Sequence, residues 1–169
     1  MHKYFSSIIL PLLFVFGCFS ISNAQTKTEA GLKIGGELSR PFSISSSGLQ
    51  KMPRITVTRN DRDNKAHQYR GVLLSQLLVQ GGATMGNELR GENLTKYVIV
   101  EASDGYQVIF ALAELDAAFS DNKIIVADTI DGAPLAAADG PFRIIVQDDK
   151  RPARCIKQVN SIKIGFAKS

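Results

Sequence analysis

Turn signals divide this chain into short apolar segments, and that pattern constrains the fold more than any other feature. Residues 54–58 alternate apolar and polar side chains, which predicts a half-buried β-strand. The polar run at residues 61–65 predicts a hairpin turn, and the Ser-Asp-Gly sequence at residues 103–105 predicts another. Further strands are expected at residues 32–38, 66–70, 96–102, 106–112, 124–127, 142–146 and 159–166. Many short strands with few helices indicate an α+β fold of mixed β-sheets with short helices.

Residues 71–82 predict the clearest helix. Its apolar face consists of Leu73, Leu74, Leu77 and Leu78. Gly81 is the expected end of the helix, because glycine commonly terminates helices. Shorter helical turns are predicted at residues 48–52, at residues 112–119 and, after a proline, at residues 152–157.

The N-terminus predicts a secretory signal peptide at residues 1–24. Lys3 supplies the positive end, an apolar run follows, and small residues precede a cleavage site after Ala24. Cys18 offers an alternative lipid-attachment site, which the bulky Phe16 close before it disfavours. The protein is therefore expected to be secreted or periplasmic and to lack a transmembrane anchor.

Beyond the cleavage site, residues 25–30 are expected to form a flexible leader and residues 31–169 a single domain. Loss of Lys3 lowers the number of Lys and Arg residues from 20 to 19 against 16 Asp and Glu, which leaves a net charge of +3. This mild charge does not favour a nucleic-acid partner. Cys155 and His67 are the only cysteine and histidine of the mature chain, so neither a disulfide nor a structural zinc site is expected.

Several motifs, in order, resemble the sulfite-oxidase-type molybdopterin-binding domain. They are Tyr69-Arg70-Gly71-Val72-Leu73-Leu74 with Leu77-Leu78 and Gly81-Gly82, Ser103-Asp104-Gly105-Tyr106, Asp131-Gly132-Ala133-Pro134-Leu135, Gly140-Pro141-Phe142-Arg143-Ile144-Ile145-Val146, and Ile156-Lys157-Gln158-Val159 with Ile162. The resemblance covers about residues 32–164. It implies a fold of mixed β-sheets that holds a molybdenum cofactor of the molybdopterin type.

The chain departs from that family's pattern in two places. The family's enzymes ligate molybdenum through a cysteine that follows a strand, whereas the corresponding residues 57–60 contain no cysteine. Cys155 lies far from this position in sequence, so no metal ligand is assigned. Gln158 stands where the family commonly has tryptophan. The resemblance also includes neither the family's dimerisation domain nor its haem partner.

A cluster of cations near the C-terminus is the leading candidate for cofactor binding. It comprises Arg143, Lys150, Arg151, Arg154 and Lys157. Guanidinium groups bind phosphate through paired hydrogen bonds, and ammonium groups act as point charges. The resemblance matches Lys157 to the family's pterin-phosphate lysine, with Arg143, Arg151 and Arg154 as further cofactor-binding candidates. The alternative is a solvated basic face balanced by neighbouring aspartates.

Other candidate residues have structural explanations of equal simplicity. Cys155 could be a thiolate whose pKa is lowered by its basic neighbours, or a small buried apolar residue. His67 could contact a ligand, or could lie on a wet strand face. Asp104 and Asp131 could form a carboxylate pair, but both precede glycine and suit turns. At the position of the missing metal ligand, the residues that could line a pocket are Thr56, Thr58, Arg59 and Asn60. For the two threonines, the alternation favours a solvent-exposed strand face instead.

Three functional hypotheses follow, and no catalytic residue is assigned. The first is an exported protein that binds an anionic or pterin-type ligand as a non-catalytic or accessory redox component. The second is an active molybdenum-dependent oxidoreductase with atypical metal ligation. The third is a cofactor-free protein-interaction module. The expected partners are an anionic small molecule or a redox partner protein.

Overall fold

The computed structural model describes residues 31–167. The strands are β1 (Gly31–Gly36), β2 (Phe42–Ser45), β3 (Ile55–Asn60), β4 (Ala66–Leu73), β5 (Lys96–Ala102), β6 (Gln107–Ala111), β7 (Ile124–Ile130), β8 (Ala133–Pro134), β9 (Arg143–Val146) and β10 (Val159–Phe166). The α-helices are α1 (Ser46–Gln50) and α2 (Leu74–Gln80). Single 3₁₀ turns occur at Gly86–Glu88, Gly91–Thr95, Leu112–Leu115 and Pro152–Arg154.

The strands form two sheets, which we call sheet A and sheet B. Sheet A has five strands in the order β2-β1-β10-β5-β6. Sheet B has the path β3-β4-β7-β8, and β9 also pairs with β7. Every pairing is antiparallel except that of β1 with β10. The predicted α+β fold class is therefore confirmed.

One apolar core joins the two sheets. Sheet A contributes buried side chains such as Val100 and Ile162, and sheet B contributes Val72 and Ile125. The alternation predicted for the last strand is confirmed, because Ile162 and Ile164 are buried while Lys163 is exposed.

Helix α1 begins earlier than the predicted residues 48–52, and α2 is shorter than predicted. Ser45 caps α1 by accepting a hydrogen bond at Oγ from Gly48 N, at 3.1 Å. Helix α2 begins only at Leu74, because residues 71–73 extend β4 and pair with β7. Gly71 permits this close pairing, since a Cβ atom there would lie 2.1 Å from Val126 O. The left-handed glycine after α2 is Gly82, with φ of +75°, one residue beyond the predicted end.

Two other helical predictions were wrong in extent. Helical geometry after β6 is confined to Leu112–Leu115, and Phe119 lies exposed beyond it. The predicted helix at residues 152–157 shrinks to one turn, Pro152–Arg154. Beyond this turn, Ile156 accepts a hydrogen bond at its carbonyl from Ile144 N, at 2.8 Å, so the segment is held against β9 and does not continue the helix.

The predicted signal peptide and leader, residues 1–30, lie outside the described residues. Within the described part, no helix combines the length and apolar character needed to span a membrane.

Candidate functional site

A cleft with two lobes lies between the β3–β4 hairpin and the segments that follow β8 and β9. The first lobe, which we call the acidic lobe, has a volume of about 240 Å³ and includes Asp61 and Asp139 in its wall. The second, which we call the Tyr106 lobe, has a volume of about 390 Å³. Both lobes share four wall residues, which we call the junction. They are Arg62, Pro152, Cys155 and Lys157. The lobes are therefore neighbouring parts of one cleft.

Arg143 is fixed in the wall of the acidic lobe by two carboxylates. Its Nη2 lies 3.1 Å from Asp61 Oδ2, and its Nη1 lies 3.1 Å from Asp139 Oδ2. Nη1 also donates to Tyr69 Oη, at 2.9 Å, and Tyr69 Oη donates to Asp61 Oδ2, at 2.6 Å. Arg143 is almost fully buried, so its charge is neutralised by these partners and is not offered to the cleft.

The protonation states of this network follow from its contacts. Burial raises the pKa of Asp61, but hydrogen bonds from Tyr69 and the charge of Arg143 outweigh burial and hold that pKa below its ordinary value. Burial and the hydrogen bond to Asp61 raise the pKa of Tyr69. At neutral pH the wall therefore holds an ionised Asp61 and a neutral, hydrogen-bond-donating Tyr69.

Lys157 reaches the cleft from the junction. Its Nζ lies 2.6 Å from Asp139 Oδ1, and its side chain is 52% exposed. The next residue, Gln158, fixes the neighbouring backbone by donating from its N to Asp139 O, at 2.9 Å. Asp139 thus forms ion pairs with both Arg143 and Lys157. The Lys157 side chain remains exposed enough to contact a ligand.

Arg62 is the cation that the sequence interpretation missed. It lies in the predicted hairpin turn, is exposed, and borders both lobes. Among residues 31–167 it makes no ion pair. No periodic pattern marks a turn arginine as a site residue, so only its place in the wall that both lobes share reveals it.

Two of the four predicted cofactor-binding residues lie elsewhere. Arg154 binds Asp149 through Nη2, at 2.8 Å, and Glu114 through Nη1, at 3.1 Å, and its guanidinium lies 4.8 Å from the centre of the Phe110 ring. Arg151 is exposed, and neither Arg154 nor Arg151 lines either lobe. The structure therefore brings Arg143 and Lys157 into the cleft and leaves the other two predicted cations outside it.

His67 is held between two carboxylates in the wall of the acidic lobe. Its Nδ1 lies 2.6 Å from Asp131 Oδ2, and its Nε2 lies 3.1 Å from Asp63 Oδ2. The hydrogen bond with Asp131, followed by that with Asp63, raises the pKa of His67. Asp131 does occupy a turn, as predicted, with φ of +47°, and it also accepts a hydrogen bond from Gln68 N, at 2.8 Å. His67 therefore lies on strand β4 with a partly exposed side chain, and in addition it connects two turns through Asp63 and Asp131.

Cys155 is a buried thiol in the junction. Val146 N donates to its Sγ, at 3.4 Å. Burial raises the pKa of the thiol, although the charges of Arg59 and Arg143 oppose that rise. The sequence interpretation that Arg154 and Lys157 would lower this pKa was therefore wrong, whereas the interpretation of a small buried residue agrees with the structure.

Arg59 fills the position at which the resemblance implies a metal ligand. Thr56 and Thr58 are exposed as the alternation predicts, but Arg59 is almost fully buried. Its Nη1 donates to Val146 O, at 2.5 Å, and to Asp149 O, at 2.8 Å. A buried guanidinium therefore ties the end of β3 to the segment after β9.

Comparison with known proteins gives the fold. No protein-family model matches the sequence, and no curated protein does. Among solved structures, the sulfane dehydrogenase SoxCD from Paracoccus pantotrophus is similar, with a TM-score of 0.63 and 18% sequence identity. The chain has a sulfite-oxidase-type fold. The similarity covers 82% of this chain but only 39% of the SoxCD chain, so this chain spans well under half of that chain's length.

The molybdenum cofactor implied by the resemblance can be tested against the donors present. Within residues 31–167, no three His, Cys, Asp or Glu side chains are placed to hold a metal ion together. Arg59 brings a buried positive charge to residues 57–60, and the Cys155 thiol is protonated at neutral pH. Neither a buried guanidinium nor a protonated thiol can act as the thiolate ligand that a metal requires.

Proposed function

We propose that this protein binds an anionic small ligand, with a pterin phosphate as the leading candidate, at the junction of the two lobes of the cleft. In this proposal it is an exported, non-catalytic or accessory component of a redox system. The single observation that carries the proposal is the pair of exposed cations, Arg62 and Lys157, in the wall that both lobes share.

The charge distribution favours an anion at the junction. Arg143 is neutralised by Asp61 and Asp139 deep in the wall, so its field at the cleft is weak. Arg62 has no carboxylate partner among the described residues, and Lys157 shares Asp139 with Arg143. A phosphate or carboxylate that entered between Arg62 and Lys157 would gain charge-assisted hydrogen bonds from both.

The Tyr106 lobe suits the planar part of such a ligand. Tyr106 is exposed, and its hydroxyl donates to Ala153 O, at 3.3 Å, which fixes one end of the ring in the wall. Aromatic faces stack on flat heterocycles without requiring a specific hydrogen-bond pattern. A ligand with a flat ring and an anionic tail would therefore place the ring near Tyr106 and the tail at the junction.

The experiment measures binding and cofactor content together. Isothermal titration with inorganic phosphate should give weak binding, and Lys157→Ala and Arg62→Ala should each reduce the affinity about tenfold, which corresponds to ~1.4 kcal/mol. Lys163→Ala and Arg90→Ala are matched controls, because both residues are exposed and line neither lobe. Equal affinity in all five proteins would refute the binding site.

Metal and pterin content separate this proposal from its alternatives. Protein purified from cells that make molybdopterin is oxidised with acid and examined for pterin fluorescence, and its molybdenum is measured. Pterin without molybdenum supports the proposal. Stoichiometric molybdenum would favour an active oxidoreductase with atypical ligation. Absence of pterin and of phosphate binding, together with recovery of a stoichiometric protein, would favour an interaction module.

Export is a separate part of the proposal. Fractionation of producing cells should place the protein outside the cytoplasm, and N-terminal sequencing of that fraction should begin at Gln25. A chain that begins at Met1, or at a lipid-modified Cys18, would contradict cleavage after Ala24.

A further inference from the structure

We propose that strand β6 (Gln107–Ala111) is a self-association surface, through which two copies of this chain pair edge to edge. This inference goes beyond ligand binding and does not depend on it. β6 is the last strand of sheet A and pairs on one side only, with β5. The partner implied is a second copy, which would extend sheet A across a two-fold axis.

Two hydrogen bonds identify which backbone groups of β6 point away from β5. Ala102 N donates to Tyr106 O, so residues of even number in β6 pair with β5. Ala111 N donates instead to the Glu114 side chain, at 2.9 Å, so residues of odd number point outward. The outward N–H and C=O groups are therefore those of Gln107 and Ile109, together with Ala111 O. Within residues 31–167 the outward groups of Gln107 and Ile109 have no hydrogen-bond partner.

The side chains of β6 lack the features that protect free sheet edges. From Tyr106 to Ala111 no residue is charged and none is proline, and Ile109 is 59% exposed. Natural edge strands are commonly protected by charges, prolines or short length. The other described edges have such features: β3 and β9 carry arginines, the two-residue β8 contains Pro134, and β2 is only four residues long and directly follows Pro41.

The same features favour a second copy over a different partner. An antiparallel pair centred on Ile109 would place Ile109 opposite Ile109 of the other copy and Gln107 opposite Ala111. Such a pair is symmetric, and no like charges face each other within the strand. On the outer face, Ile109 is also beside Ile99, its register partner on β5, so the contact would cover an apolar pair. The hydrogen bond from Ala111 N to the Glu114 side chain sets one end of the paired segment, because this N–H is not available to the second copy.

The first test is sedimentation velocity of the purified protein over a concentration series. Wild-type protein should show a monomer–dimer equilibrium, and Ile109→Lys should weaken association about tenfold or more because two lysines would face each other. Val79→Lys is the matched control, since Val79 is 55% exposed on α2, away from β6. Gln107→Pro removes an outward N–H and no backbone bond to β5, although it also loses the side-chain bond to Glu101, and it should weaken the dimer as well.

The second test traps the pair covalently. Facing residues of a hydrogen-bonded antiparallel pair have Cα atoms about 5.5 Å apart, within the range for a disulfide. Ile109→Cys should therefore form a disulfide-linked dimer under mild oxidation, whereas Val79→Cys should not. Wild-type protein that stays monomeric at every concentration, or an Ile109→Lys variant that associates like wild type, would overturn the inference. So would equal trapping of the two cysteine variants.

Discussion

Asp61 and Arg143 are 82 residues apart in sequence, yet their side chains form an ion pair of 3.1 Å that closes the wall of the acidic lobe. Tyr69 bonds to both of them and completes a triangle of hydrogen bonds. Because the charged groups lie in the wall and neutralise each other, they stabilise the cleft and leave ligand binding to the exposed cations at the junction.

The first prediction concerns this triangle. Tyr69→Phe removes a hydroxyl that both donates and accepts, and it should lower the free energy of unfolding by ~1–3 kcal/mol. Arg143→Met should cost more, ~3–5 kcal/mol, because it leaves two carboxylates without their buried partner. Urea unfolding measures both. A double variant whose loss equals the sum of the single losses would show that Tyr69 and Arg143 do not interact.

The second prediction concerns competition for Lys157. Asp139→Asn removes the carboxylate that Lys157 shares with Arg143, so phosphate should bind several-fold more tightly while the protein becomes less stable. Titration calorimetry and urea unfolding measure the two effects. Asp148→Asn, at an exposed aspartate outside both lobes, is the control and should change neither. Weaker phosphate binding in Asp139→Asn would contradict the assignment of Lys157.

The third prediction concerns pH. Asp131 and Asp63 raise the pKa of His67 in the folded protein above its unfolded value of about 6.5. The stabilisation is therefore complete below pH 6.5 and is lost as pH rises through the folded pKa. His67→Gln should flatten the pH dependence of stability in that range. NMR titration of His67 Cε1–H should give a pKa above 6.5, and a lower value would contradict the contacts with Asp63 and Asp131.

The fourth prediction concerns Cys155. Because the thiol is buried and its pKa is raised, native protein should react slowly with Ellman's reagent, and the reaction should accelerate sharply in urea. A variant with an exposed cysteine, Val79→Cys, provides the fast reference in the same protein. Equal rates at both positions would show that Cys155 is accessible from the cleft.

The fifth prediction concerns Gly71. An alanine Cβ at this position would meet the backbone of β7, 2.1 Å from Val126 O, so Gly71→Ala should lower the free energy of unfolding by several kcal/mol, on the order of 2–4. Gly35→Ala is the control, because no atom lies within 4 Å of the added Cβ. Thermal unfolding distinguishes the two. Similar midpoints would mean that β4 and β7 can separate at little cost.

Local patterns predicted the strands well because a period of two is a property of neighbouring residues. The alternation around Ile162 and Lys163 and the turn at Gly105 were both readable from the sequence. Helix lengths were overestimated where long-range pairing prevailed, as in the extension of β4 through Gly71.

The candidate site was predicted only in part, because its partners come from distant segments. Lys157 and Arg143 were found among the cations, but neither sequence spacing nor charge showed that Asp139 lies between them. Arg62 escaped notice in a polar turn, and Arg59 was named only as a residue that could line a pocket, since alternation assigned just Thr56 and Thr58 to the exposed face. Only the hydrogen bonds of Arg59 to the carbonyls of Val146 and Asp149 explain why a charged residue is buried there.

The parallel pairing of β1 with β10 determines when the protein can finish folding. β10 lies between β1 and β5, so the first and the last described strands are neighbours in the same sheet. Strands β1 and β5 cannot be joined into one sheet before β10 is available to lie between them. Because contacts between such distant segments slow folding, completion of sheet A is expected to be a late step of folding.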